Sequence, residues 1–180
     1  MKNSTIRDNI TFGLPFDEEK YYTVVDACSL GSDFAQFPGG DMTEVGERGI
    51  TLSGGQKARI NLARAVYADK EIVLLDDVLS AVDAKVGKHI VENCILGLMG
   101  SKTRIMATHQ LSLISSADRM VFLNGDGSID VGTTDELLSR NVAFSNLLKF
   151  QKSSKEGASG DDDGEIGSEI QSIKAEMIRN

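Results

Sequence analysis

Apolar positions recur through the first 150 residues in short periodic stretches, separated by Gly and Asp turns. Asp17 precedes two acids, Glu18 and Glu19, as a helix cap and an acidic first turn do. Tyr21, Val24, Val25 and Cys28 then fall on one helical face. Gly39 and Gly40 read as a loop. The next periodic run predicts a helix over residues 54–67, with Ala58, Leu62, Ala65 and Val66 as its buried stripe. Residues 72–75 are a continuous apolar run, β-branched at its start and ended by acids. That pattern predicts a strand buried on both faces. Residues 82–98 predict one helix, with Val86, Ile90 and Cys94 spaced by four. Residues 103–107 and 120–123 predict two further strands, and residues 129–131 return from a tight turn at Gly125-Asp126-Gly127. Thr133 and Glu136 have the spacing of a capping box that opens another helix. Helices alternating with short apolar strands predict an α/β fold with a mostly parallel sheet. No internal repeat is visible.

Residues 151–180 break this pattern. They are polar, rich in Gly, Ser and acids, contain no aromatic residue, and carry the run Asp161-Asp162-Asp163. Such a segment buries too little surface to offset the entropy of ordering. It reads as a disordered acidic linker, with Ile170, Ile173 and Ile178 enough for one or two weak helical turns. The folded part is thus expected over residues 1–150.

Composition narrows the function classes. The 180 residues fit one domain plus a tail. A net charge of −8 speaks against a nucleic-acid-binding surface, and four basic against seven acidic residues in the tail account for −3 of it. Cys28 and Cys94 are too few for a disulfide framework or a metal knuckle, and read as ordinary thiols of a reducing compartment. No apolar run approaches the roughly 20 residues needed to cross a bilayer. Residues 1–10 have no signal-peptide core. A soluble, intracellular chain is expected.

Three constellations carry chemistry. In the first, Ser53-Gly54-Gly55-Gln56 leads into the helix over 54–67. Two glycines let backbone amides approach a ligand, Ser53 can cap the helix or bond a phosphate oxygen, and the positive helix end favours an anion. A plain Ser-Gly-Gly turn is the simpler alternative. In the second, Asp76 and Asp77 follow the apolar run over 72–75, at the sheet edge where α/β proteins bind ligands. Asp76 there would hold Mg²⁺, usually through water, and Asp77 would orient or deprotonate an attacking water beside a γ-phosphate. The alternative is a strand ending in a solvated acidic turn. In the third, His109 follows the strand over 103–107 and would emerge at the same edge, where it could contact a γ-phosphate. A structural histidine is the alternative. His89 has no such context and reads as exposed.

The order and spacing of the three constellations resemble the nucleotide-binding domain of ABC transporters. The run from Gly46 through Glu47 and Arg48 to Gly49 resembles the family's X-loop, and Leu52-Ser53-Gly54-Gly55-Gln56 its signature motif. Residues 72–76 resemble Walker B, Ser80-Ala81-Val82-Asp83 the D-loop, and His109 the switch histidine. Residues 4–13 and 80–90 resemble subfamily C, the multidrug-resistance-associated branch, in particular first nucleotide-binding domains of the fungal oligomycin-resistance type. The resemblance covers residues 4–150 and implies a P-loop-NTPase-like ABC ATPase: a helical subdomain plus the C-terminal half of a mostly parallel core sheet. It also implies ATP and Mg²⁺ as cofactors, and a second nucleotide-binding domain and the parent's transmembrane domains as partners. The place of action would be the cytoplasmic face of a membrane, and nucleic acid is no partner.

One family motif is missing. A phosphate-binding loop needs Gly, four residues, then Gly-Lys-Ser/Thr. The one Gly-Lys pair, Gly87-Lys88, has Val82 at the position of the first glycine and is followed by His89. The chain therefore resembles the C-terminal portion of the domain, lacking the adenine-stacking aromatic, Walker A and the Q-loop. In this family two domains stack head to tail. Ser53, Gly54, Gly55 and Gln56 would then complete the partner's site, with Asp83 contributing from the D-loop. Asp76, Asp77 and His109 would serve the domain's own nucleotide. Where the family carries a catalytic Glu, this chain has Asp77, as in degenerate first sites of subfamily C. Two alternatives remain: a catalytically inactive fragment that only binds a partner domain, and a chromosome-maintenance or repair ATPase, which would need heptad arms that are absent here. Apolar sheet faces and unpaired edges are expected to be exposed.

Overall fold

The structure is a computed structural model describing residues 1–46 and 49–157, with the backbone alone at residues 112, 115 and 151–157. The chain forms two compact units, Met1–His109 and the part from Gln110 onward.

The first unit is built around one helix. β1 (Ser4–Thr5) leads into α1 (Ile6–Thr11), capped by Thr5, whose side chain accepts from the Asp8 amide. Ile6 and Ile10 are wholly buried, and α1 packs on α4 (Gly54–Tyr67). α2 (Glu18–Ala27) is capped by Asp17 as predicted, with Tyr21, Val24 and Val25 buried. α3 (Gly31–Gln36) follows, then a 3₁₀ turn at Gly40–Met42 and β2 (Glu44–Val45), antiparallel to β1.

α4 has the predicted bounds, but its buried face is shifted. Ile60, Leu62, Ala63, Val66 and Tyr67 are buried, while Ala58 and Ala65 are half-buried. Both α1 and α2 pack on it, so the covered face is wider than one stripe. The Tyr67 hydroxyl anchors the entry to α2: it donates to Pro15 O at 2.6 Å and accepts from Asp17 N at 2.9 Å.

β3 (Ile72–Asp76) pairs in parallel with β4 (Thr103–Ala107), Asp76 opposite Ala107. Burial on both faces does not hold. Val73 and Leu75 are buried, while Ile72 is 64%, Leu74 74% and Ile105 59% exposed. Strand side chains alternate between faces, and in this unit one face of the pair is covered and the other bare.

The crossover from β3 to β4 is helical from Ala84 to Leu98, starting two residues later than predicted and changing its winding partway. α5 (Ala84–Ile90) starts only after Asp83, whose carboxylate accepts from the Lys85 and Val86 amides. A π-helix, Val91–Leu98, continues it. Cys94 on the π-helix meets Cys28 at the end of α2. Both are buried free thiols, with sulfurs 3.8 Å apart. The bond to Cys94, together with burial, pushes the Cys28 thiol up, so it stays protonated and packs as an apolar group.

In the second unit, a 3₁₀ turn at Leu111–Ser116 precedes β5 (Met120–Leu123) and β6 (Ile129–Gly132), an antiparallel hairpin. Gly125 (φ 83°) and Gly127 (φ 90°) supply the left-handed turn positions. α6 (Thr134–Arg140) opens with the predicted Thr133–Glu136 capping box. Leu137 and Phe144 are buried, with Phe122 edge-on to Phe144 at 5.3 Å. Asn141 donates to Asn124 and Asp130 and accepts from the Phe144 amide, capping α7 (Val142–Gly157).

Two further expectations change. The described sheets are one parallel pair and two antiparallel pairs, not a mostly parallel sheet. The Gly-Asp-Gly turn is too short to join parallel strands, which need a crossover of a dozen or more residues. The helix α7 also runs past residue 150 to Gly157, because extending a formed helix costs far less than starting one. Residues 158–180, most of the expected linker, lie outside the described residues. Among the described residues no helix is long and apolar enough to cross a membrane.

Candidate functional site

The first constellation sits at the start of α4. Ser53 is the N-cap: its Oγ accepts from Gln56 N at 3.2 Å, and Gln56 Oε1 accepts from Ser53 N at 2.9 Å, a complete capping box. Gly54 and Gly55 are the first two residues of α4, so their N–H groups have no carbonyl one turn back within the helix. Gly55 is needed for a second reason. A Cβ there would lie 2.8 Å from the backbone oxygen of Ala81. The glycine thus admits close packing against Ala81 of the run Ser80–Asp83.

Gln56 reaches further. Its Nε2 donates to Asp33 Oδ1 at 3.0 Å, and Arg59 Nη2 donates to Asp33 Oδ2 at 2.6 Å. Asp33, on α3, is 6% exposed. It escaped the sequence reading because it lies 23 residues before Gln56 and no periodicity marks a buried carboxylate. Of the X-loop, Glu47 and Arg48 lie outside the described residues.

The second and third constellations meet at the ends of β3 and β4. Asp76 closes β3 and is exposed. Asp77 follows with φ 46°, a left-handed conformation that Asp tolerates better than most residues. Its amide donates to Ala107 O at 2.9 Å, and its carbonyl accepts from Ser80 N and Oγ. These bonds turn the chain sharply and point the carboxylate toward β4. There, His109 Nδ1 lies 3.1 Å from Asp77 Oδ1. The approach is close but off-axis, since Asp77 Oδ1 is buried with no donor aligned on it. The sequence placed both residues at one edge, and the structure brings them into contact.

Asp83 acts differently from the other acids: its carboxylate is occupied as the cap of α5. His89 is half-buried rather than exposed, with Nε2 2.8 Å from Asp26 O and Nδ1 3.3 Å from Asn93 Nδ2. A carbonyl can only accept, so Nε2 carries the proton and Nδ1 accepts from the Asn93 amide. It ties α5 to α2.

Asp76 stands without a nest of ligands, and no group of three or more His, Cys, Asp or Glu among the described residues could hold a metal ion. One exposed carboxylate still suits Mg²⁺, which takes one or two carboxylates and completes its shell with water and substrate phosphates.

Comparison with known proteins decides what these motifs belong to. Residues 2–80 match the family described as ABC transporter. Oligomycin resistance ATP-dependent permease YOR1 of Saccharomyces cerevisiae is 54% identical over 176 residues, covering 98% of this chain and 12% of the permease. Multidrug resistance protein mrp-7 of Caenorhabditis elegans is 49% identical over 179 residues, 95% of this chain and 12% of that protein. ABC transporter C family member 2 of Dictyostelium discoideum is 47% identical over 150 residues, 83% of this chain and 11% of that protein. The chain belongs to the ABC transporter family, subfamily C. It spans about an eighth of the length of these curated relatives. In this ABC transporter segment the family match ends at residue 80, so it includes Ser53, Gly54, Gly55, Gln56, Asp76 and Asp77. Asp83 and His109 lie beyond it, within the span shared with the permease.

Proposed function

We propose that this chain is part of the ATP-binding and ATP-hydrolysing cassette of a subfamily C exporter, working on the cytoplasmic face of a membrane. The single observation that supports this most is the start of α4. The capping box there is closed between Ser53 and Gln56, and the amides of Gly54 and Gly55 at the positive helix end have no partner within the helix. Anions bind such an end, and the nucleotide phosphates of a second, head-to-tail cassette are the anions this arrangement suits. Ser53, Gly54, Gly55 and Gln56 then complete the partner's site, with Asp83 holding the D-loop by capping α5.

Asp76, Asp77 and His109 serve the chain's own side of the assembly. Asp76 is the residue that would hold Mg²⁺, which would supply positive charge to offset that of the phosphates. Asp77 orients or deprotonates the attacking water, and His109, which lies beside Asp77, faces the γ-phosphate. The fold this reading requires is P-loop-NTPase-like. The phosphate-binding loop that would hold this nucleotide is absent from the 180 residues. Phosphoryl transfer rests on positioning and electrostatics, so this segment by itself does not turn over ATP. The transmembrane domains of the parent would couple the cassette to transport.

The test is gel filtration of this chain with a subfamily C second nucleotide-binding domain, with and without ATP, alongside a phosphate-release assay. ATP-dependent co-elution and no phosphate release by the chain alone are expected. Stoichiometric ATP binding with turnover by the chain alone would overturn the reading.

A further inference from the structure

Burying a carboxylate costs several kcal/mol unless its oxygens are fully used. Asp33 is buried and uses both. Oδ2 takes Arg59 Nη2, and Oδ1 takes Gln56 Nε2. The second bond matters for more than stability. A Gln carboxamide can turn over, exchanging its acceptor and its donor between nearly identical shapes. Only one orientation closes the capping box, the one with Oε1 on the Ser53 amide. The Asp33 carboxylate can only accept, so it compels the NH₂ of Gln56 to face it and the carbonyl to face Ser53. One buried charge thereby selects the orientation of the side chain that fixes the backbone from Ser53 to Gln56.

We infer that Asp33 is a positioning residue for nucleotide contact at the start of α4, acting through the orientation of the Gln56 amide. The inference rests on the proposed function of that helix end. It assigns Asp33 no contact with nucleotide, and it makes the Arg59 pair a support for the carboxylate rather than its purpose.

The experiment uses the full-length transporter and measures KM for ATP and kcat. Asp33→Asn keeps the size and removes the acceptor-only character, so KM rises about tenfold with kcat nearly unchanged, the signature of lost uniform binding. The double variant Asp33→Asn with Gln56→Glu reverses the polarity of the relay. The introduced glutamate accepts from the Ser53 amide, as a capping box allows, and from the introduced asparagine, and KM returns toward the starting value. If Asp33→Asn does not fold, Gln56→Leu keeps the Asp33–Arg59 pair and cuts the relay, and the same rise in KM is expected. An unchanged KM in the foldable single variant overturns the inference. So does a double variant that regains thermal stability without regaining KM, because Asp33 is then structural only. Ser53→Ala separates the two levels. If it leaves KM unchanged, the functional reading of the helix end fails and the inference falls with it. If it raises KM while Asp33→Asn does not, only the role of Asp33 falls.

Discussion

The start of α4 is bonded shut, and the ends of β3 and β4 are held open. At the first, Ser53, Gln56, Asp33 and Arg59 close on one another at 2.6–3.2 Å, and Gly55 is pressed against Ala81. At the second, Asp76 is exposed, His109 approaches Asp77 off-axis, and a buried oxygen of Asp77 has no aligned donor. An unsatisfied buried acceptor costs about 1–3 kcal/mol. The first region carries its geometry in its own bonds, so its donors are already in place. The second leaves polar atoms that a water or a bound group can satisfy.

Three substitutions break or sharpen that contrast. The largest effect is on the closed region. Ile60 is wholly buried in the second turn of α4, and Ile60→Ala removes about 2–5 kcal/mol of stability, read from the urea midpoint of the chain. A loss under 1 kcal/mol would show that α4 is not the packed support described here. Next comes Asp77→Glu in the full-length transporter. The added methylene carries the carboxylate about 1 Å further, and misplacement on that scale costs up to about 10²-fold. Turnover at this site, with the partner's site disabled, rises correspondingly; an unchanged rate counts against Asp77 as the residue that handles water. The smallest effect is that of Asp76→Ala on the chain's own stability. An exposed side chain at a strand end contributes less than about 0.5 kcal/mol, so the melting curve stays in place. A clear drop would make Asp76 part of the fold rather than of an open site.

What could be read beforehand divides along the same line. Ser53 with Gln56, and Thr133 with Glu136, announce their helices locally, because a capping box needs only residues three apart. The Gly125-Asp126-Gly127 turn is local in the same way. The bare face of Ile72, Leu74 and Ile105 was not legible, since a continuous apolar run does not say which side a neighbour covers. Nor was the change of winding in the crossover: Asp83 delays the start of α5, and the wider winding from Val91 leaves no mark on apolar spacing. The shared edge of Asp76, Asp77 and His109 followed from strand ends, but the turn of Asp77 toward His109 depends on its left-handed backbone. Asp33 was out of reach entirely, as its partners are distant in sequence and charged residues are rarely buried.

The hydroxyl of Ser53 has two ends, and α4 uses only one. As an acceptor it holds the Gln56 amide; its proton remains to be given to another oxygen. A carboxylate at this position would cap the helix equally well, yet it has no proton to give and would turn a second lone pair outward. Facing a phosphate, it would repel where the hydroxyl attracts. A hydroxyl cap, unlike a carboxylate one, thus leaves the front of the helix with a donor to offer and no added negative charge.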